Sequence, residues 1–400
     1  MENIFALSTD DLKFIANKLQ IRIEEGLMKD GQEILAIPTH IHPKGHYPNQ
    51  RVLSLDWGGT NFRAAIVEYK DGKATVLEDC KNRLSSIETK GFDQEKLHEK
   101  MAEFIASLKH LDKRVTKIGY CFSYPAASRL NGDAILLRWT KGIDIPGMIN
   151  KAVGEPLLNY LNNHKDIPTT FDEIKVVNDT VACLFAGLTE LTDKQKPFDS
   201  YIGLIVGTGT NMAGLMPLSK IDKLKSKDPG VIPVNFESGN FNPTHLTVVD
   251  HLVDSISNNK GSQRFEKAIS GGYLGEIFKT AFMFDKIKYD FDGYDLTQII
   301  CNPDKNKQEH VDAANWIYTR SARLVAASLA GLVQVLLEQD GTIKDIYLAA
   351  DGSVFWSNDY EKQVRAVLNE LLPAGVTLKI SEKEKMTEPN LIGSAIAALS

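Results

Sequence analysis

The sequence predicts an α/β chain of two similar halves facing each other, and three observations carry that prediction. The chain has 400 residues, more than one ordinary core accommodates, so two domains are expected. Short apolar runs of strand length alternate with stretches of helical period. A pattern also repeats: residues 53–67, LSLDWGGTNFRAAIV, share it with residues 203–217, GLIVGTGTNMAGLMP. In each, an apolar strand enters a Gly- and Thr-rich turn ending Gly-Thr-Asn, and a second apolar strand follows. One such hairpin per half implies a duplicated architecture.

Taken in chain order, residues 9–28 place Leu12, Ile15, Leu19, Ile23 and Leu27 at helical spacing, with Ser8 or Thr9 as N-cap. Residues 38–50, PTHIHPKGHYPNQ, read as a linker. Its His40, His42 and His46 lack a nearby acidic partner and read as solvated loop side chains. Strands are expected at 51–56, 62–69 and 74–79, the last two joined by a hairpin turn at Asp71-Gly72. Residues 94–111 read as a helix, Ile118–Tyr124 as a strand, residues 180–191 as a helix, and 388–400 as a small-residue, apolar helix.

Composition narrows the function. With 43% apolar and 24% charged residues the chain is globular rather than disordered. A formal charge of −6 without a Lys/Arg block argues against nucleic acid or an anionic membrane as the main partner. The four cysteines, Cys80, Cys121, Cys183 and Cys301, show no CxxC spacing, so a zinc site or disulfide framework is not expected. No basic start followed by an apolar core opens the chain, and the expected location is the cytoplasm.

A turn such as Asp56-Trp57-Gly58-Gly59-Thr60-Asn61 exposes backbone N–H groups, and glycine lets an oxyanion approach without meeting a Cβ. Thr60 and Thr208 add hydroxyls. Asp56 ends an apolar strand and can reach Mg²⁺ directly or through water. Arg63 follows and can stabilise charge on a transferring phosphoryl group. Either loop alone is equally well an ordinary tight hairpin; their duplication points to a nucleotide held between two domains. The pattern is neither a P-loop nor a Rossmann turn, because a strand follows instead of a helix.

These motifs resemble the hexokinase family, within the actin-like (ribonuclease H-like) superfamily of two-domain phosphotransferases. Residues 55–63 resemble its first phosphate motif and residues 204–211 its second. Five more matches stand in family order: Phe122-Ser123-Tyr124-Pro125, Trp139-Thr140-Lys141-Gly142, Val177-Asn178-Asp179-Thr180-Val181, Val234-Asn235-Phe236-Glu237 and Ile269-Ser270-Gly271-Gly272-Tyr273-Leu274-Gly275-Glu276. Asp351-Gly352-Ser353-Val354 resembles the adenosine-side motif. Tyr124 stands where phenylalanine is usual, Ser238 where tryptophan commonly follows the glutamate, and Trp57 where a smaller residue is usual. These departures leave the choice of hexose open.

The resemblance implies a ligand cleft between a smaller domain, 50–178 plus 388–400, and a larger one, 1–49 plus 179–387. It implies ATP with Mg²⁺ against Asp56, Gly58, Gly59, Thr60, Asn61 and Arg63 on one side and Gly207, Thr208, Gly209, Asp351, Gly352 and Ser353 on the other. Ser123, Thr140, Lys141, Asn178, Asp179, Asn211, Glu237 and Glu276 then line a hexose pocket, a ring of hydroxyls needing several buried donors and acceptors. Asp179 is the expected general base, with Lys141 and Arg63 as its catalytic partners. Asn-Asp-Thr is also a good helix N-cap, the plain alternative for Asp179. The expected activity is ATP:D-hexose 6-phosphotransferase. A kinase for mannose, fructose or an amino sugar, a non-catalytic sugar sensor, and a nucleotide-gated ATPase of the same superfamily are the rivals. Oligomeric state is left open.

Overall fold

The computed structural model describes residues 2–283, 285 and 287–400, and its two large sheets repeat one strand order. The five-stranded sheet runs Lys73–Arg83, Asn61–Lys70, Gln50–Trp57, Lys117–Phe122, Glu173–Val177. The six-stranded sheet runs Ile37–Pro38, Val231–Asn235, Thr210–Pro217, Ser200–Val206, Asp345–Asp351, Thr377–Ile380. In both, a hairpin is extended on its second strand by the next strand in sequence and on its first strand by two later ones. In the first sheet the hairpin is antiparallel and the two later strands join in parallel, which requires crossover helices. The expected turn is present, with both Asp71 and Gly72 at positive φ, as a two-residue hairpin demands.

Strand Gln50–Trp57 is buried on both faces because a helix covers each. Leu53, Leu55 and Trp57 join Leu97, Met101 and Ile105 of helix Gln94–Ala106 in one apolar cluster. On the opposite face Ser54 Oγ donates to the Leu391 carbonyl of the C-terminal helix Pro389–Leu399 at 2.8 Å. That helix lies backbone against backbone on its neighbours. A Cβ on Gly393 would sit 1.7 Å from the Ala182 carbonyl oxygen, and one on Gly119 would sit 1.9 Å from that of Ser394.

The chain forms two compact units: Met1–Ala36 with Leu204–Pro229 and Phe236–Lys385, and Ile37–Gly203 with Gly230–Asn235 and Met386–Ser400. The borders therefore differ from those read in the sequence. Residues 44–49 pack with the first sheet, because Lys44 Nζ donates to the Leu399 carbonyl at 2.7 Å and the rings of Tyr47 and Tyr69 meet. Helix Asp179–Gly187 falls there through Gly393. It ends earlier than expected, at Gly187, where Thr189 Oγ1 turns back onto the Ala186 carbonyl.

The other unit is built on helix Gln308–Gln339, packed on helix Thr9–Met28 so closely that a Cβ on Gly331 would meet the Ala16 carbonyl. The long helix is long and apolar enough to cross a membrane, but 78% of its most apolar stretch is buried in protein, as in a core helix. Its buried Arg320 is held by Asp250 in a two-pronged ion pair at 2.6 and 2.7 Å. Ser8 caps helix Thr9–Met28 in a reciprocal box with Asp11.

Candidate active site

The first Gly/Thr loop closes the hairpin in which Asp56 lies opposite Arg63 and Trp57 opposite Phe62. Gly59 has φ +114°, and a Cβ there would meet Lys141 Cδ at 2.6 Å. Lys141 explains that closeness. Its ammonium donates to the carbonyls of Gly58 and Ser123, both at 2.8 Å, and lies over the Tyr124 ring. One side chain thus ties together three motifs that are far apart in sequence. Leu84 N–H donates to the Thr60 carbonyl at 3.0 Å, fixing the far side of the turn before Asn61.

Beneath the loop, Trp57 is fully buried against Tyr124, Trp139 and Phe122, with ring centroids 5.1, 5.7 and 6.1 Å away. Its Nε1 donates to the Leu84 carbonyl. Trp57 and Tyr124, two of the departures from the family pattern, are therefore neighbours. The Tyr124 hydroxyl is buried with no hydrogen-bond partner among the described residues.

Asp56 is half-buried at the end of its strand and accepts a 3.4 Å contact from Asn390 Nδ2. Burial first, and then the negative charge of Asp179, push its carboxyl up to about 6. Two carboxylates that repel each other this way suit a divalent cation. Asp179 opens helix Asp179–Gly187, at the end that carries the helix's partial positive charge. Its Oδ1 accepts from the Thr180 N–H at 2.8 Å and from Thr180 Oγ1 at 3.2 Å. Asn178 supplies the N-cap, accepting from the same Thr180 N–H at 2.9 Å, so Asp179 is not needed as the cap. The Arg63 guanidinium is already held, by Asp79 at 3.0 Å and by Glu388. Thr140 and Ser123 are half-buried near Lys141.

In the other unit, residues 207–209 are held almost wholly by main chain. Gly271 N–H donates to the Gly207 carbonyl at 2.7 Å, Gly272 N–H to Thr208 at 3.0 Å, and Val354 and Phe355 N–H both to Val206. Gly352, at φ +116°, lies against Val206; a Cβ would sit 2.3 Å from its carbonyl oxygen. Gly207, Thr208 and Gly209 are thus gathered with Asp351, Gly352 and Ser353, and the Thr208 and Ser353 side chains stay exposed.

Near the same loop, Asn211 Oδ1 accepts from the N–H groups of Ser238 and Met212 at 3.2 and 2.8 Å. Glu237, half-buried, takes a left-handed φ of +53°, a strained backbone of the kind found at functional sites. The second carboxylate brought here is Glu266, whose Oε2 accepts from Thr210 N–H at 3.0 Å and lies beside Gly239. Glu276 instead pairs with Lys279 on its own helix at 2.6 Å. Sequence reading missed Glu266 because, within helix Arg264–Ile269, a Glu followed by Lys looks like solvated surface. Its only signal is that it precedes Ile269-Ser270-Gly271 by one helical turn.

Two family models described as Hexokinase match the chain, one over residues 1–188 and the other over 201–290 and 295–400. The chain belongs to the hexokinase family. It is 30% identical to a Kluyveromyces lactis hexokinase, covering 89% of this chain and 81% of that protein. It is 32% identical to Saccharomyces cerevisiae hexokinase-2, where the match spans 72% of this chain and 61% of the relative. A Schistosoma mansoni hexokinase solved with glucose superposes with a TM-score of 0.81 at 24% identity, over 100% of this chain and 97% of that one. That likeness identifies the two-domain sugar-kinase fold. Within this hexokinase fold, the repeated strand order accounts for the repeated hairpin in the sequence.

Proposed function

We propose that this hexokinase-family chain transfers the γ-phosphoryl group of ATP to the 6-hydroxyl of a hexose, with glucose as the first candidate. The observation that carries the reading is the setting of Asp179. Its carboxylate sits at a helix start, is hydrogen-bonded by Thr180, and is spared the capping role by Asn178. A hydroxyl is a weak nucleophile, and a carboxylate that accepts its proton as phosphorus is attacked meets the requirement.

The remaining roles follow from chemistry. Ser123, Thr140, Lys141 and Asn178 carry groups suited to sugar hydroxyls, as do Asn211, Glu237 and Glu266, with Glu276 the weaker candidate. Lys141 shapes the first loop through the Gly58 and Ser123 carbonyls. Gly58, Gly59, Thr60 and Asn61 face phosphate, as do Gly207, Thr208 and Gly209, while Asp351, Gly352 and Ser353 lie on the adenosine side. Mg²⁺ fits beside Asp56, where it would offset charge on the ATP phosphates. Arg63 can join the phosphoryl group only if one of its two carboxylate partners yields. The four cysteines are free thiols, which supports a reducing cytoplasm as the location.

A coupled assay over glucose, mannose, fructose and glucosamine tests the reading. ADP release that depends on a hexose supports it, and sugar-independent ATP hydrolysis would favour the ATPase rival. Binding of hexose without turnover would favour the sensor.

A further inference from the structure

The first hairpin sets Asp56 directly across from Arg63, an opposite-charge pair that would satisfy itself if left alone. It is not left alone. Glu388 takes one end of the Arg63 guanidinium and Asp79 the other. Asn390, two residues further on, turns its amide towards Asp56. Both Glu388 and Asn390 come from the single turn by which the chain enters its last helix, Pro389–Leu399. That turn is anchored from behind. Ser54, two residues before Asp56, bonds the Leu391 carbonyl and Ser394, both at 2.8 Å. Gly393 rests on Ala182, three residues after Asp179. The last helix therefore touches the strand that carries Asp56 and the helix that carries Asp179.

The backbone supplies a second observation. Glu388 has φ +56° immediately before Pro389, a left-handed conformation that glycine takes without strain and glutamate does not. A strained glutamate whose carboxylate lies on an arginine of the phosphate loop calls for a function.

We propose that Glu388 and Asn390 are positioning residues for phosphoryl transfer: Glu388 draws Arg63 away from Asp56, and Asn390 aims the carboxylate so released. The proposal rests on the hexose-kinase reading above. Neither residue needs to touch sugar or nucleotide. Without Glu388, Arg63 swings onto its cross-strand neighbour and neutralises the one carboxylate of that loop.

The test compares wild type with Glu388→Gly, Glu388→Asp, Asn390→Ala, Arg63→Gln and the Glu388→Gly/Arg63→Gln double variant, all in the full chain. Glu388→Gly is expected to melt within about 2 °C of wild type or above it, since glycine relieves the backbone. Its kcat should fall about 10- to 100-fold, the scale for losing a partner that orients a charged group. The hexose KM should stay within about twofold. Asn390→Ala should lower kcat about tenfold, and Glu388→Asp should recover part of the Glu388→Gly loss. The double variant should lose no more activity than Arg63→Gln alone, because both act through one group. A Glu388→Gly protein with wild-type kcat overturns the proposal, and so does one that melts well below wild type, or a double variant with additive losses. Wild type without hexose-dependent turnover sinks the kinase reading and this proposal with it. An active wild type beside an equally active Glu388→Gly sinks this proposal alone.

Discussion

Gly59 and Gly352 share a positive φ, +114° and +116°, the one within the first loop and the other packed against the second, yet they are crowded by different things. Gly59 faces the methylenes of Lys141, whereas Gly352 faces the main chain of Val206 and Gly207. The same contrast runs through both loops. The first is held largely by side chains, through Lys141, Asn390 and the ion pairs of Arg63, beside a main-chain bond from Leu84 to Thr60. The second is held by main-chain hydrogen bonds from residues 271, 272, 354 and 355. Side-chain ties can be remade by rotation; close main-chain packing cannot yield without moving whole elements. The first loop is therefore the adjustable one, where charge is placed, and the second is a fixed seat.

The largest expected effect asks whether the chemistry lies on the adjustable side. Asp179→Asn should lower kcat by about 10²–10⁴ while the KM for ATP stays near wild type. Steady-state kinetics with near-normal turnover would remove Asp179 from the mechanism.

The glycines themselves come next. Gly352→Ala should cost about 3 kcal/mol or more of stability, since strain and a main-chain clash add. Gly59→Ala should cost about 1–2 kcal/mol, because a lysine side chain can give way. Urea denaturation of both variants reads the difference, and equal losses would break the comparison.

Glu266→Gln probes a side-chain tie on the second loop. It keeps an acceptor for Thr210 N–H but loses charge, so stability should hardly change. Hexose kcat/KM should fall by the equivalent of about 1–3 kcal/mol, with the KM for ATP little altered. Equal damage to both substrates would mean that Glu266 only supports the loop.

The last effect is a pH dependence at Asp56. Its carboxyl titrates at about 6 in the folded chain against 3.8 as its ordinary value, so the folded state binds the extra proton between those values. Ionising Asp56 therefore costs stability above pH 6, and the cost vanishes below about pH 4. In a divalent-free buffer Asp56→Asn should be more stable than wild type at pH 7.5, by up to about 3 kcal/mol. The gap should close between pH 6 and pH 4. A gap that stays constant with pH would show that Asp56 is not held under electrostatic strain.

Much of the first unit was legible in the sequence because its signals are local. The Asp71-Gly72 turn, the apolar strands and the N-cap at Asn178 each depend on a few consecutive residues. Helix Thr9–Met28 begins and ends where its apolar period does. The strut from Lys141 was not legible, since a lone lysine after a tryptophan and a threonine reads as solvated. The contacts of Glu388 and Asn390 lie more than 300 residues along the chain from their partners, and no local pattern announces them. Glu266 was hidden by its ordinary helical neighbours, and the pairing of Glu276 with Lys279 could not be read from its glycine-rich motif. The borders of the compact units differ from those read in the sequence for a related reason: Gly393 looks like any small residue in a small-residue helix until Ala182 is found beneath it.

Trp57 and Trp139 are two of only four tryptophans in the chain, and both sit in the aromatic cluster beneath the first loop. Trp57 is the residue immediately before Gly58, and its indole N–H is fixed to the carbonyl of Leu84, the same residue whose N–H anchors Thr60. Any ligand that shifts Gly58 or Thr60 must change the surroundings of this indole, and with them its emission. The loop thus carries an intrinsic optical probe: unlabelled protein, excited at the red edge of its ultraviolet absorption, reports on the adjustable loop from directly below it.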